Sequence, residues 1–439
     1  MVDGHRRAIS SPASGFLCRK VIYVNNRLTG RSLMIASCLA LVSGCGLIPG
    51  TGDSTDLTIW MMEGSVTPEF VKEFTADYEK KDPSVTLHVK ILGWDGIGKT
   101  VTDALAGKDT PDVIEVGNTQ VAQYADSNNL RDLTLESVRD LGSADWLPGL
   151  AAPGSINGAQ YGIPWYAANT VVIYNKDLFQ QAGIGQPPTT REQWIEDSAK
   201  LNQGGNQGIY LSGQDWYTLC GFIWDEGGNL ADETGDQFQG AVDSPAAIRG
   251  MEFYKQLQAF GNAPKDKDHT DPDQAEVFAK GNIGQIISTP GAAAAIEKKN
   301  PKLKGKLGFF PVPGKTADKP GHVLTGGSDL IVPKNSAHRF EAVQVVSELA
   351  GVKWETKLAR TMSFVPNKAK LGASIGGGAG MKAMTLGAAQ GRATPNSPQW
   401  ANVDLNNPIK PYMTAVLNGK DPKAAAKAAS ERITFLLRD

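Results

Sequence analysis

The chain has 439 residues, 41% hydrophobic and 21% charged, too apolar for a disordered polypeptide and long enough for two or three domains. Its 44 Lys and Arg against 46 Asp and Glu leave a net charge of -2, without the basic excess that follows a phosphate backbone, so nucleic acid is not an expected partner. The 49 glycines and 25 prolines follow no short period, which excludes a collagen-like or low-complexity chain.

Residues 33–42, Leu33 to Val42, form an apolar run. It is far short of the ~20 residues a bilayer-spanning helix needs. It has the length of a signal-peptide core, with Arg27 and Arg31 as its positive flank. Val42-Ser43-Gly44-Cys45 follows, and its small residues before a thiol resemble the bacterial lipobox, in which the Cys is acylated and becomes the first mature residue. A plain signal peptide with an incidental Cys45 is the alternative. Residues 1–44 are expected to be a lipoprotein signal peptide, and 45–56, rich in Gly, Pro, Ser and Thr, a flexible tether. The segment before Val24 is long for a signal sequence, and a start there gives one of ordinary length. Two acyl chains anchor firmly where one does not, so the expectation is a body tethered to the outer face of the cell membrane through lipid on Cys45. Processing would remove Cys18 and Cys38; Cys220 is then the one thiol left without lipid, and it cannot form an internal disulfide. No later stretch reaches 18 consecutive apolar residues.

In the body, Leu57–Trp60 reads as a strand. Thr67-Pro68 opens a helix, with Thr as N-cap and Pro in the first turn, and Phe70, Phe74 and Tyr78 line one face of it. Asp82-Pro83 stops that helix. Val85, Leu87, Val89 and Ile91 alternate as a strand, a helix over 98–106 follows, then a strand at Asp112–Val116 and a helix from Thr119 to Ser127. This βαβαβ order is the pattern of a parallel α/β sheet. Val171–Tyr174, Gly284–Ser288, Leu307–Phe310 and Leu330–Val332 read as further strands. Helices are expected from Thr190, from Ser244-Pro245, through Phe340–Leu349, and at 422–437. The reading is of two α/β lobes with more than one crossing between them.

Gly93-Trp94-Asp95-Gly96-Ile97-Gly98-Lys99-Thr100 matches a P-loop pattern between a strand and a helix. Three features oppose nucleotide binding: export, the alternating polarity of the preceding strand, and Asp95, which would repel phosphate. Trp94 and Asp95 fit a neutral ligand better. The five histidines are scattered, with no H-E-x-x-H motif, no cysteine cluster and no nucleophile elbow. No metal, cofactor or catalytic residue is expected. Carboxylates such as Glu63, Asp95, Glu115, Asp215 and Asp225 are compatible with a glycosidase pair or with binding of sugar hydroxyls, and the sequence leaves both open.

Several segments carry a resemblance. They are Thr110-Pro111-Asp112-Val113-Ile114-Glu115-Val116-Gly117-Asn118-Thr119, Tyr161-Gly162-Ile163-Pro164-Trp165-Tyr166, Ile173-Tyr174-Asn175-Lys176-Asp177-Leu178-Phe179, Phe278-Ala279-Lys280-Gly281, Gly326-Gly327-Ser328-Asp329-Leu330 and Pro366-Asn367. In this order over nearly all of residues 57–438, they resemble the extracellular solute-binding proteins of bacterial carbohydrate ABC importers, most like the actinobacterial branch that binds chitobiose and related amino sugars. The resemblance implies a two-lobed α/β fold of the periplasmic-binding-protein type, closing on ligand like a hinge. It would comprise a first lobe of 57–168 plus about 329–362 and a second of 169–328 plus about 363–439. It implies a monomer that hands a mono- to oligosaccharide to two transmembrane permease subunits served by a separate ATPase, and no chemistry of its own. An exported carbohydrate-active enzyme and a binder of a non-sugar solute such as a glycerophosphodiester are the alternatives.

Carried over position by position, the implied ligand contacts are Glu63 after the first strand, Asn118, and Tyr166 after the Gly-x-Pro turn. Gln214, Asp215, Trp216 and Trp224 fall in the second lobe, Gly326, Gly327 and Ser328 at the return crossing, and Arg392 before a Pro-containing turn; Trp94 and Asp95 join them from the reading of residues. Gly291 departs from the pattern. Many relatives have a Trp there, and its absence implies a roomier subsite, an extra substituent or a Trp from elsewhere. Trp60 and Trp165 read equally as core or ligand-facing, and Glu115 equally as a structural hydrogen-bond acceptor.

Overall fold

The computed structural model describes residues 54–438 apart from Asp95 and Asp236. The expected signal peptide, Cys45 and the tether up to residue 53 lie outside the described residues, as does Asp95.

The sequence-predicted elements are largely present, and their caps explain their positions. The helix Pro68–Lys81 starts where the Thr67 side chain accepts from the Phe70 amide and buries Phe70, Phe74 and Tyr78. Phe70 and Phe74 meet the Trp354 ring edge-on, with centroids at 5.4 and 5.1 Å. Thr190 and Gln193 form a reciprocal capping box on Arg191–Leu201. Ser244 caps Pro245–Gln258, and Asp421 caps Pro422–Leu436.

The larger sheet has six strands. Thr55–Met62 lies parallel to Val85–Leu92 on one side and to Val113–Gly117 on the other. The strand takes in Thr55 and Asp56, paired with Val85 and Thr86, so the tether ends earlier than its composition predicts. Beyond Val113–Gly117 the sheet turns antiparallel through Gly326–Ile331, Gly162–Ala168 and Val365–Pro366. The parallel reading therefore holds for the first three strands only. Gly326–Ile331 begins earlier than the expected Leu330–Val332 because its first residues, Gly-Gly-Ser-Asp, pair through backbone alone and carry no apolar signal. A second sheet is wholly antiparallel, with Val171–Asn175 between Gln285–Ser288 and Leu307–Phe310.

Each sheet has a packed interior, and a further cluster around Ala167, Ile173, Ile286 and Val365 is shared by both. Leu57, Ile59, Val113, Ile163 and Trp165 pack with Trp354 beside the larger sheet. Trp194, Phe222, Met251, Tyr254, Trp400 and Ile433 pack among the helices of the second body. Trp165 is fully buried, which settles its reading as core; Trp60 is half-buried with the Lys90 ammonium 5.3 Å from its ring centroid. Two of the connections between the bodies run side by side. Residues 168–171 lead from Gly162–Ala168 directly into Val171–Asn175, and Leu324–Gly326 lead from the short strand Val323–Leu324 into Gly326–Ile331.

Candidate functional site

The two connections floor a cleft of about 340 Å³. Open α/β sheets gather ligands beyond the carboxyl ends of their strands, and Gly117, Asn118 and Thr119 reach it at the end of the parallel strand Val113–Gly117. The floor is Ala168-Asn169-Thr170 and Leu324-Thr325-Gly326-Gly327. Asn118 is buried, and its Nδ2 donates to the Thr325 carbonyl at 3.2 Å, fastening the strand end to the crossing. Asn169 and Thr325 are each 2% exposed, and Asn169 Oδ1 and Thr325 Oγ1 accept or donate no hydrogen bond within the protein. Buried polar atoms are nearly always paired; these two stand unpaired beneath the cleft floor, with almost no surface of their own.

Three aromatic side chains wall the cleft: Trp94, Trp216 and Tyr217. Trp94 follows the strand Val85–Leu92, is 43% exposed, and is aimed by its indole N–H, which donates to the Glu63 carbonyl at 3.0 Å. Trp216 and Tyr217 form the first turn of Trp216–Asp225, their ring centroids 4.5 Å apart. Asp215 starts that helix: it accepts from the Thr218 amide at 3.3 Å and from the Thr218 hydroxyl at 2.7 Å. Burial raises its carboxyl pKa, opposed by those hydrogen bonds. Thr289, Thr394 and Asp404 complete the rim. Asp404, on the short helix Trp400–Asn406, keeps open surface, yet the protein mass crowding it in the concave cleft pushes its carboxyl up to about 6.

Of the residues the sequence pointed to, Trp94, Asn118, Trp216, Gly326 and Gly327 therefore line one cleft. The other described ones lie elsewhere. Glu63 is exposed beside Trp94 and offers it a backbone carbonyl. Tyr166 is buried under the floor, stacked on Phe364 at 4.2 Å, with its hydroxyl shared among Glu115 at 3.0 Å, Ser65 at 2.7 Å and Ser328 at 2.9 Å. Ser328, almost fully buried, belongs to the same network. Glu115 also accepts from the Met62 amide at 2.7 Å and the Ser65 hydroxyl at 2.6 Å; burial raises its pKa against these bonds, and it braces strand ends. Gln214 is tied to the Thr414 hydroxyl at 3.0 Å, and Asp215 is spent on its cap.

Trp224 is buried beneath the Arg392 guanidinium, 5.1 Å from its ring centroid, and Arg392 bonds Asn229 at 3.0 Å; desolvation lowers the Arg392 pKa. Gly291 is exposed at the head of Ala292–Lys299, close to the rim residue Thr289, and a Cβ there would meet nothing nearer than 4.0 Å. There is room at that edge for the side chain it lacks. Lys99 of the P-loop-like stretch pairs with Asp103 at 2.5 Å on the helix surface.

Tyr217, Thr325, Asn169, Thr394 and Asp404 line the cleft without having been predicted. Tyr217 had a signal, since it neighbours Trp216 in the first turn of a capped helix. Asp404 had none, because its helix carries no motif.

The chain belongs to the bacterial extracellular solute-binding protein family, whose model matches residues 63–355. It is 36% identical over 409 residues to the diacetylchitobiose-binding protein DasA of Streptomyces coelicolor, across 90% of this chain and 94% of that protein. Its fold is that of the two-lobed, maltose-binding-protein-like class. The sugar-binding protein MalE of Xanthomonas citri superposes with a TM-score of 0.78 at 21% identity, over 87% of this chain and 97% of that one. A solute-binding protein of Staphylococcus aureus solved with maltose gives 0.73 at 18% identity, over 87% and 97%.

Proposed function

We propose that this protein is the substrate-binding component of a bacterial ABC carbohydrate importer, capturing a mono- to oligosaccharide of the amino-sugar or chitobiose type between two lobes. One observation carries the reading: aromatic walls at Trp94, Trp216 and Tyr217 stand over a floor of amide and hydroxyl groups from Asn118, Asn169 and Thr325. A pyranose presents apolar C–H faces and a rim of hydroxyls, and such a cleft complements both. The relative named for diacetylchitobiose, covered over almost its whole length, supports the amino-sugar branch. The lobes would be 57–168 plus about 329–362, and 169–328 plus about 363–439. Lipid on Cys45 would hold the protein as a monomer at the extracytoplasmic face, next to two permease subunits and their ATPase. The protein would bind and release its cargo unchanged.

Titration calorimetry against chitobiose, N-acetylglucosamine, trehalose, maltose, cellobiose and glycerophosphocholine tests this. One saccharide binds and is recovered intact. Trp94→Ala and Tyr217→Ala each weaken that binding about tenfold or more, at least ~1.4 kcal/mol, with little change in Tm, because both side chains are 43% exposed. Glycerophosphocholine as the sole ligand would move the protein to a non-sugar cargo, and turnover of the sugar would make it an enzyme.

A further inference from the structure

Among the described residues that line it, the cleft is uncharged except at one place. Among its described lining residues Asp404 is the single ionisable carboxylate, and no Lys, Arg or His lines it. Asp404 has no ion-pair partner among the described residues. The same cleft presents two Trp rings and a Tyr ring, whose faces attract cations. A second carboxylate, Glu63, stands exposed beside Trp94.

A neutral sugar needs hydroxyl partners, which the floor already supplies. A carboxylate can also accept from sugar hydroxyls, but one set among aromatic faces with no cation beside it suits a cationic group. We propose that the cleft selects a saccharide carrying a protonated primary amine, with Asp404 as the counter-ion and the Trp94, Trp216 and Tyr217 rings as the wall against which the amine-bearing sugar packs. This rests on the saccharide-binding reading above and narrows it from amino sugars in general to those with a free, non-acetylated amine.

The groups around Asp404 supply no opposite charge, and the Trp400 indole on its own helix opposes the rise that desolvation causes. The Tyr217 phenol and the Cys220 thiol on Trp216–Asp225 both feel Asp404, and burial keeps both neutral. The His269 ring is next to that of Tyr217, with centroids 6.5 Å apart. Arg392 is engaged with Trp224 and Asn229. The strand-end turn Asn118–Gln120 brings no titratable side chain. On Pro422–Leu436, Lys427 pairs with Glu431 at 3.9 Å and Arg432 lies over Phe435.

The sign of the pH effect separates this role from others. With its carboxyl near 6, free Asp404 is ionised at pH 7 and largely protonated at pH 5. The ligand amine gains charge over the same range, so any affinity lost on acidification reports the carboxylate.

The test is titration of the β-1,4-linked glucosamine disaccharide and its di-N-acetylated counterpart, with cellobiose as the neutral reference. It uses wild-type protein and Asp404→Asn at pH 7 and pH 5. The free amine form is expected to bind wild type at least tenfold tighter than the acetylated form at pH 7 and to lose about tenfold at pH 5. Asp404→Asn removes both the preference and the pH dependence, and an unliganded Tm near the wild-type value shows that the variant is folded. Equal or tighter binding of the acetylated form, or an equal loss for all sugars in Asp404→Asn, overturns the proposal and leaves saccharide binding standing. Silence toward every saccharide, with binding of glycerophosphocholine instead, overturns both.

Discussion

Asp329 sits on the crossing strand Gly326–Ile331, just after the register shifts against Gly162–Ala168. It is fully buried, and neither carboxylate oxygen has a hydrogen-bond partner in the protein. Gly162 stands against it so closely that a Cβ there would lie 2.4 Å from its Oδ2. Desolvation pushes its pKa well above the ordinary carboxylate value. Burial thus favours the protonated acid in the folded protein relative to the unfolded chain, where the ordinary value is 3.8. Its contribution is therefore full at low pH and is lost as pH rises above the unfolded value, at about 1.4 kcal/mol per pH unit until the folded group ionises. Asp329→Asn keeps the shape without that cost. Denaturation across pH should show the variant gaining on wild type at pH 7 to 8, with the gain shrinking toward pH 4. A deficit of the same size at every pH would mean that the acid makes a hydrogen bond the amide cannot.

At the scale of elements, the parts that sequence reading finds are those whose signal is local. Ser244 before Pro245 is one: its hydroxyl accepts from the Ala247 amide at 3.2 Å, and the helix it starts buries Met251, Tyr254 and Leu257. Ser244→Ala should cost about 1 kcal/mol, read as a lower denaturation midpoint with an unchanged slope. Phe70, Phe74 and Tyr78 were equally legible, because four-residue spacing forces them onto one face. The early start of Gly326–Ile331 was not, because its first residues pair through backbone with partners more than a hundred residues away. The same physics divides the cleft. Trp94, Asn118 and Trp216 follow a strand end or open a helix, so their place could be read. Asn169 and Thr325 line it only because two distant connections run side by side, and Asp404 because a short helix from the end of the chain reaches the rim. Tyr166 misled for the opposite reason: it has the chemistry of a sugar contact, but Glu115, Ser65 and Ser328 already hold its hydroxyl.

For the whole molecule, the cleft is where the two sheets communicate. Its floor is the pair of connections between them, and its walls come from both bodies: Trp94 and Asn118 from the larger sheet, Trp216, Tyr217 and Asp404 from the helical body packed on the smaller one. A ligand that touches both walls therefore adds contacts between the two bodies to those of the shared core around Leu150, Ala167, Ile173 and Val365. Such a ligand favours the closed arrangement by its differential affinity alone. It also binds the native state and not the unfolded chain. At 100 times its Kd it adds about 2.7 kcal/mol, a Tm rise of ~3–6 °C for a chain of this size. That rise should grow with the logarithm of ligand concentration. It should shrink in Trp94→Ala and in Tyr217→Ala alike, one residue from each wall. A variant of one wall that lost the rise while the other kept it in full would place the ligand on a single body, and binding would then not couple the two.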